Sequence, residues 1–254
     1  MSINILTWNI KAGQNKEGGY PIIKTRNLDR IANVIKEHKV SIVCLQEVDA
    51  YTLRAGIYIH QAKYIANKLS LATGRAWSYE YIISKKMKPG YFGNAIISCY
   101  PTDASLKLPL PKMKGKEDRS FLLTSIHINS PPIYVGTFHL GLKGDQILQA
   151  QRIKSMLKDH NYFSKKIVLA GDLNATEGSE AYYIMHNGEF SMVDVGPIGT
   201  CTLNCYDNYR NPKIDFIFVR GFSTLNLKSQ VLPIDISDHR PILLELSNNV
   251  CNCI

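Results

Sequence analysis

The chain has 254 residues, of which 45% are hydrophobic, 9% aromatic and 20% charged, a globular mixture that excludes low-complexity disorder and any need for structural staples. Thirty Lys and Arg against 21 Asp and Glu leave a charge of +9 with neutral His. That balance fits either plain solubility or a polyanionic partner, such as nucleic acid, a phosphorylated small molecule or an anionic membrane surface.

No apolar run reaches the roughly 20 residues of a spanning helix. Met1 leads within two residues into Ile3-Asn4-Ile5-Leu6, without the basic start, long apolar centre and small-residue cleavage site of an export signal. A soluble, cytoplasmic protein is expected.

The first strand is expected over Ile3 to Ile10. A helix follows from Arg26 to Lys39, with Leu28, Ile31, Val34 and Ile35 on one face. Ser41 to Leu45 is nearly all apolar, as in a strand covered on both faces. The second helix runs from Ile59 to Thr73 and stops at Gly74. Strands are expected at Ala76 to Ile83, Asn94 to Cys99, Ser120 to Ile128 and Ile133 to Phe138, the last two joined through Pro131-Pro132.

Helix Asp145 to Asp159 and strand Lys166 to Ala170 come next, then a short helix over Ser179 to Asn187 and loops rich in Gly, Pro and Asn. Three strands close the chain at Ile214 to Val219, Ser223 to Val231 and Pro241 to Leu246. Strands alternating with helices in both halves, with no linker, suit one domain over 1–247 built from two sheets packed face to face with helices outside.

Six cysteines in so long a domain do not make a disulfide framework. Cys44 and Cys99 lie in apolar runs and read as buried thiols. Cys201 and Cys205 have the spacing of a zinc half-site, but no second Cys or His pair lies nearby to complete it. Cys251, four from the end, has the place of a prenylated Cys, yet Asn252 fits such a signal poorly. A frayed tail over 248–254 is expected.

Polar residues recur where apolar strands end. Thr7-Trp8-Asn9 ends the first, Leu45-Gln46-Glu47 the second, Thr137-Phe138-His139 a middle one, and Gly171-Asp172-Leu173-Asn174 the next. Asp215 opens a late strand, and Ser237-Asp238-His239 precedes the last. One strand-end Asp is ordinarily a turn or cap. Six sites on separate strands are a different matter: if the strand ends converge on one edge, they form a cleft of carboxylates, carboxamides and two His. Its hard oxygen donors suit Mg²⁺ or Mn²⁺.

These segments resemble the endonuclease/exonuclease/phosphatase superfamily, over Thr7 to Pro241. Leu-Gln-Glu, Gly-Asp-Leu-Asn and Ser-Asp-His-Arg-Pro, in that order, carry the resemblance. It implies a four-layered α/β/β/α sandwich and a Mg²⁺-dependent hydrolase of phosphate esters. Carried onto matching positions, it implies that Glu47 holds the metal with Asn9 and Asp238. Asp172 orients or deprotonates the attacking water, and Asn174 holds a phosphate oxygen. His239, oriented by Asp215, contacts the scissile phosphate, and His139 meets the same group from the other side.

Arg119 matches a family Arg that can clamp phosphate, and Asn94 falls where the family often has Gly-Asn lining the cleft. Each His can donate as imidazolium, a form that the Asp215 and Asp238 carboxylates favour.

Abasic-site endonucleases usually carry Tyr in place of His139, which disfavours them. Leu45 to Asp49, Thr52-Leu53-Arg54 and Gln61-Ala62 look like small bacterial-type members. Hydrophobic membrane-contact loops of the sphingomyelinase kind are missing, since Ile57-Tyr58-Ile59 reads as a helix start. Lys85, Lys86 and Lys88 precede Tyr91 and Phe92, and Lys112, Lys114 and Lys116 precede Arg119. Basic residues interleaved with aromatics suit nucleic acid, and DNA is the leading substrate. A lipid head group or small phosphorylated molecule stays open. The full set of acid, amide and His positions speaks against a catalytically inactive polyanion-binding module.

Overall fold

The computed structural model describes residues 2–22, 24–103, 105–205, 212–223, 225 and 227–247; the tail 248–254, with Cys251 and Cys253, lies outside them. In chain order the elements are β1 (Ile3–Asn9), α1 (Arg26–Glu37), β2 (Ile42–Ala50), α2 (Gln61–Thr73), β3 (Ser78–Lys86), β4 (Tyr91–Ser98), β5 (Leu106–Pro109), β6 (Ser120–Ile126) and β7 (Ile133–His139). Then follow α3 (Asp145–Asp159), β8 (Ile167–Asp172), α4 (Glu180–His186), β9 (Val193–Asp194), β10 (Asp215–Arg220), β11 (Leu227–Val231) and β12 (Ile242–Leu246).

Two six-stranded sheets result, in the orders β11-β12-β1-β2-β4-β3 and β5-β6-β7-β8-β10-β9. Each has one parallel pair at its centre, β1 with β2 and β7 with β8, and antiparallel neighbours elsewhere. A parallel pair needs a crossover long enough to return the chain, and α1 and α3 provide it.

Alternation along the strands sorts the core into three apolar clusters. One joins Leu28, Ile31, Ile35, Ile65 and Leu69 of α1 and α2 to Leu6, Trp8, Val43 and Leu45. A second joins Ile153 and Leu157 of α3 and Met185 of α4 to Phe138, Leu169 and Phe216. The third lies between the sheets and includes Ile5, Cys44, Val135, Val168, Ile217 and Leu244. The layers are therefore helix, sheet, sheet, helix, as the resemblance implied.

Helix α1 buries the expected face, and α2 ends where Gly74 takes a left-handed φ of 66° and its N–H returns to the Ser70 carbonyl. Two strands lie outside the sequence expectation. β5 and β9 are edge strands of four and two residues, too short for a two-residue period to stand out from a loop. β2 also runs five residues past its expected end at Leu45, because a bulge between Leu45 and Val48 interrupts its alternation.

Candidate active site

Parallel pairing brings the C-terminal ends of β1 and β2, and of β7 and β8, to one edge of the sandwich. Asn9 lies opposite Gln46, and His139 opposite Asp172; β10 runs the other way, so its first residue, Asp215, also faces Asp172. The approach of β7 to β8 depends on Gly171, where an added Cβ would fall 2.0 Å from the Phe138 carbonyl oxygen.

At the bulge Glu47 has a left-handed φ of 54°, which turns it out of the strand beside a buried Gln46. Non-glycine residues meet this conformation at a cost of about 1–2 kcal/mol, and bulges commonly re-aim a side chain at a site. Gln46 faces inward, and its amide donates to the hydroxyls of Thr7 and Thr137, one in each sheet.

Asp172 is the hub. Its Oδ2 accepts from Asn9 Nδ2 at 3.1 Å and lies 3.4 Å from His139 Nε2 and 3.9 Å from His239 Nε2. Its Oδ1 accepts from the Asn174 backbone N–H at 2.8 Å. The same Asn9 amide nitrogen donates to Glu47 Oε1 at 3.1 Å. Asn174, at a left-handed φ of 50°, gives one amide proton to the Leu140 carbonyl and keeps the other.

Burial and the facing Asp215 push Asp172 up to about 7. His239 donates from Nδ1 to Asp215 Oδ2 at 2.8 Å. Burial opposes charge on His239, but Asp215, Asp172 and Asp238 outweigh it and hold the ring up to about 10. His239 is therefore an imidazolium at neutral pH.

His139 differs from the sequence expectation that either ring could carry a proton charge. Burial, then the charges of Arg119 and His239, hold it well below its ordinary value. Arg119 faces His139 Nδ1 at 3.4 Å, so that nitrogen accepts and Nε2 carries the single proton.

Arg119 is buried at the start of β6, with one terminal nitrogen 3.1 Å from Glu117 and an Nε that has no partner. Asn94 sits elsewhere: it is buried between the sheets, and its amide nitrogen donates to the Ser120 carbonyl. Asp238 pairs with Lys11 at 2.8 Å.

Among the described residues, two places could take a cation. Asp172, Asp215 and His239 each put one ligand atom within 4.8 Å of the others, but the Nδ1 of His239 is engaged with Asp215. Glu47 fits better. Burial raises its carboxyl above the ordinary range, it lines a cavity of about 160 Å³, and a nearby cation would offset the cost of its charge. A groove of about 830 Å³ between α3 and α4 contains none of these residues.

Several residues that hold the site have no assigned role in the sequence reading. Thr202 Oγ1 accepts from the backbone N–H of both Ile214 and Asp215, Ser237 Oγ donates to the Asn9 carbonyl, and Trp8 Nε1 donates to the His239 carbonyl. Their partners are up to 231 residues away in sequence, so no local pattern announces them. Cys201 and Cys205 are joined as a disulfide, which replaces the zinc half-site reading: both sulfurs are used.

The sequence matches the model of the endonuclease/exonuclease/phosphatase family over residues 6–239. The chain belongs to that family. Members of the family hydrolyse phosphate esters and generally use divalent metals. No functionally curated protein matches at a significant level.

Among solved structures, a family protein from Leptotrichia buccalis is similar with a TM-score of 0.75 and 18% identity, over 96% of this chain and 99% of that one. Sphingomyelinase C from Streptomyces griseocarneus is similar with a TM-score of 0.71 and 14% identity, over 97% and 100%. A mannosyl-6-phosphatase from Bacteroides thetaiotaomicron is similar with a TM-score of 0.71 and 17% identity, over 96% and 99%. At these identities the likeness is one of fold. No helix among the described residues is long and apolar enough to cross a membrane.

Proposed function

We propose that this protein is a Mg²⁺- or Mn²⁺-dependent phosphodiesterase, with nucleic acid as leading substrate. The observation that carries the reading is the shared Asp172 carboxylate, which Asn9, Asn174, His139 and His239 surround from strand ends of both sheets.

Glu47, with Asn9 and Asp238, would hold the cation, which supplies charge neutralisation on phosphoryl oxygens. Asp172, with a pKa of about 7, is matched to orienting a water and taking its proton near neutral pH. His239 donates as imidazolium to a scissile phosphate oxygen, held in place by Asp215. Neutral His139 offers its Nε2 proton from the opposite side, and the second amide proton of Asn174 points to the same charge. Arg119 adds a fixed cation, whereas Asn94 is assigned no phosphate contact.

Nucleic acid is supported by the basic rim. Lys85 lines one cavity that includes Arg119, and Lys116 and Lys143 line another. Among the described residues Lys86, Lys88 and Lys114 stand outside every ion pair. A second reading, a small or lipid-derived phosphoester, is favoured by cavity size, since the two spaces are only about 160 and 240 Å³. Two of these lysines are also already neutralised, Lys112 by Asp118 and Lys85, on β3, by Glu117.

The test is hydrolysis of bis-p-nitrophenyl phosphate, abolished by EDTA and restored by Mg²⁺ or Mn²⁺. Full activity after exhaustive chelation overturns the metal-dependent reading. Oligonucleotide binding with Ca²⁺ in place of Mg²⁺, weakening with a slope of about −0.7 to −0.9 in log K per neutralised phosphate, supports nucleic acid. Salt-independent weak binding moves the assignment to the small-substrate reading.

A further inference from the structure

We infer that the cavity beside Glu47 is a subsite for a second anionic group of the substrate, a phosphate held by Arg54 and Lys85. The inference rests on the phosphoester reading and narrows it to esters with another dianion close to the scissile one.

Arg54 is fixed before any ligand arrives. The buried Asp49 accepts its Nε and one terminal nitrogen, both at 2.8 Å, and is itself anchored by the Thr52 hydroxyl at 2.6 Å. The Phe92 ring lies 5.5 Å from the guanidinium carbon. The remaining terminal nitrogen takes no part in this fork, and the side chain is 37% exposed at the cavity wall. A planar fork held rigidly in this way loses little freedom when it binds an oxyanion.

Neutralising Asp49 would account for Arg54 alone. It does not account for Lys85, Glu117 and Arg119, which line the same cavity. There Lys85 Nζ lies 3.6 Å from one Glu117 oxygen, and Arg119 lies 3.1 Å from the other. Glu117 thus holds an oxyanion between two cations, one of them buried with an Nε that lacks any acceptor. Its own side chain is already 60% exposed, so it leaves this place at little solvation cost.

In the free protein Glu117 fills the position of the second anion, and a substrate phosphate displaces it. A terminal phosphomonoester offers three oxygens and more charge to Lys85, Arg119 and the unused Arg54 nitrogen, which charge-assisted hydrogen bonds reward. The terminal phosphate of a nucleic-acid strand and the second phosphate of a small bisphosphate present the same chemistry.

Titration calorimetry with Ca²⁺ in place of Mg²⁺ reads this without turnover. Two probe pairs are compared: thymidine 5′-monophosphate with thymidine 3′,5′-bisphosphate, and fructose 6-phosphate with fructose 1,6-bisphosphate. The second phosphate is expected to lower Kd about tenfold or more in at least one pair, the scale of one charge-assisted contact. Lys85→Gln, on a half-exposed side chain, and Arg54→Lys should each cut that gain to less than about threefold.

Glu117→Gln should tighten the bisphosphate further. A gain confined to the nucleotides identifies a strand as the source, and one confined to the sugars identifies a small bisphosphate. No gain in either pair, a gain that both cation variants leave intact, or Glu117→Gln without effect overturns the inference. Retained bisphosphate gain in a protein that cannot hydrolyse bis-p-nitrophenyl phosphate overturns the catalytic reading and leaves the subsite standing.

Discussion

The amide of Asn9 donates to the carboxylate of Asp172 across 3.1 Å, from a strand of one sheet to a strand of the other. Because the same nitrogen also reaches Glu47, one carboxamide keeps two acids together in a buried edge. The sandwich and the site are therefore stabilised by the same contact.

Replacing that amide by a third carboxylate tests the arrangement. Asn9→Asp should destabilise the metal-free protein by about 1–3 kcal/mol at pH 7, the usual cost of leaving buried charged groups without a donor. The loss should shrink toward pH 4, where the acids share protons. Urea denaturation at the two pH values reads it. Equal stability of variant and wild type at pH 7 would show that the amide is not what reconciles the two acids.

The two site histidines should titrate apart. His239 has its pKa raised to about 10 against an ordinary 6.5, so its pairing contributes stability that is fully present below pH 6.5 and is lost as pH rises toward 10. His139, held down by burial and neighbouring cations, stays neutral well below pH 6.5. In an NMR titration of the metal-free protein, one ring signal should move only in alkali and another only in acid. Asp215→Asn should bring the alkaline transition down toward neutrality. Asp172→Asn and His239→Ala should each lower kcat by at least about a hundredfold, the scale of losing a positioned catalytic group.

Much of this is legible in the sequence. Strand ends can be read because an apolar run stops at a polar residue, and Asn9, Glu47, His139, Asp172 and Asn174 stand at such stops or just beyond them, whereas Asp215 and His239 stand where late strands begin. Parallel central strands carry the first five to one edge, and the antiparallel β10 and β12 bring Asp215 and His239 to it.

What stayed hidden depends on distant partners. Nothing near Asn94 announces that its amide meets the Ser120 carbonyl, and nothing near Thr202 announces that it caps Asp215. The left-handed turn at Glu47 was equally silent, since Gln46-Glu47 looks like the close of a strand that in fact continues to Ala50.

The Cys201–Cys205 disulfide closes a loop whose backbone supports the catalytic edge. Leu203 pairs with His239, the Asn204 N–H donates to the Asp238 carbonyl, and the Arg240 N–H donates to the Thr202 carbonyl. Such a bond persists in oxidising compartments, which pulls against a cytoplasmic setting. So short a loop stabilises the fold by only about 2 kcal/mol. Reduction, or Cys201→Ser with Cys205→Ser, should therefore lower kcat about tenfold or more through a displaced His239 while Tm falls by only a few degrees. Unchanged kcat in the reduced protein would show that the loop is held without the sulfur bridge.

Glu47 joins backbone strain to a partly buried charge, and its replacement separates the two. Burial raises its carboxyl above the ordinary 4.5, so the folded state resists its ionisation more than the unfolded chain does. For an acid shifted this way the penalty is absent below pH 4.5 and grows as pH rises through the unfolded value, because the unfolded chain then releases its proton first. Glu47→Gln keeps the shape and the left-handed φ but removes the charge.

In EDTA the variant should therefore be the more stable protein at pH 7, with the difference closing toward pH 4.5. Added Mg²⁺ should reverse the order. A ligand at a hundred times its Kd stabilises the native state by about 2.7 kcal/mol, a gain open to the wild type and closed to a variant that cannot hold the ion. Urea unfolding in EDTA and in Mg²⁺ at both pH values gives all four numbers. If Mg²⁺ stabilises Glu47→Gln as much as the wild type, the cation is held elsewhere, and the Asp172, Asp215 and His239 group becomes its place.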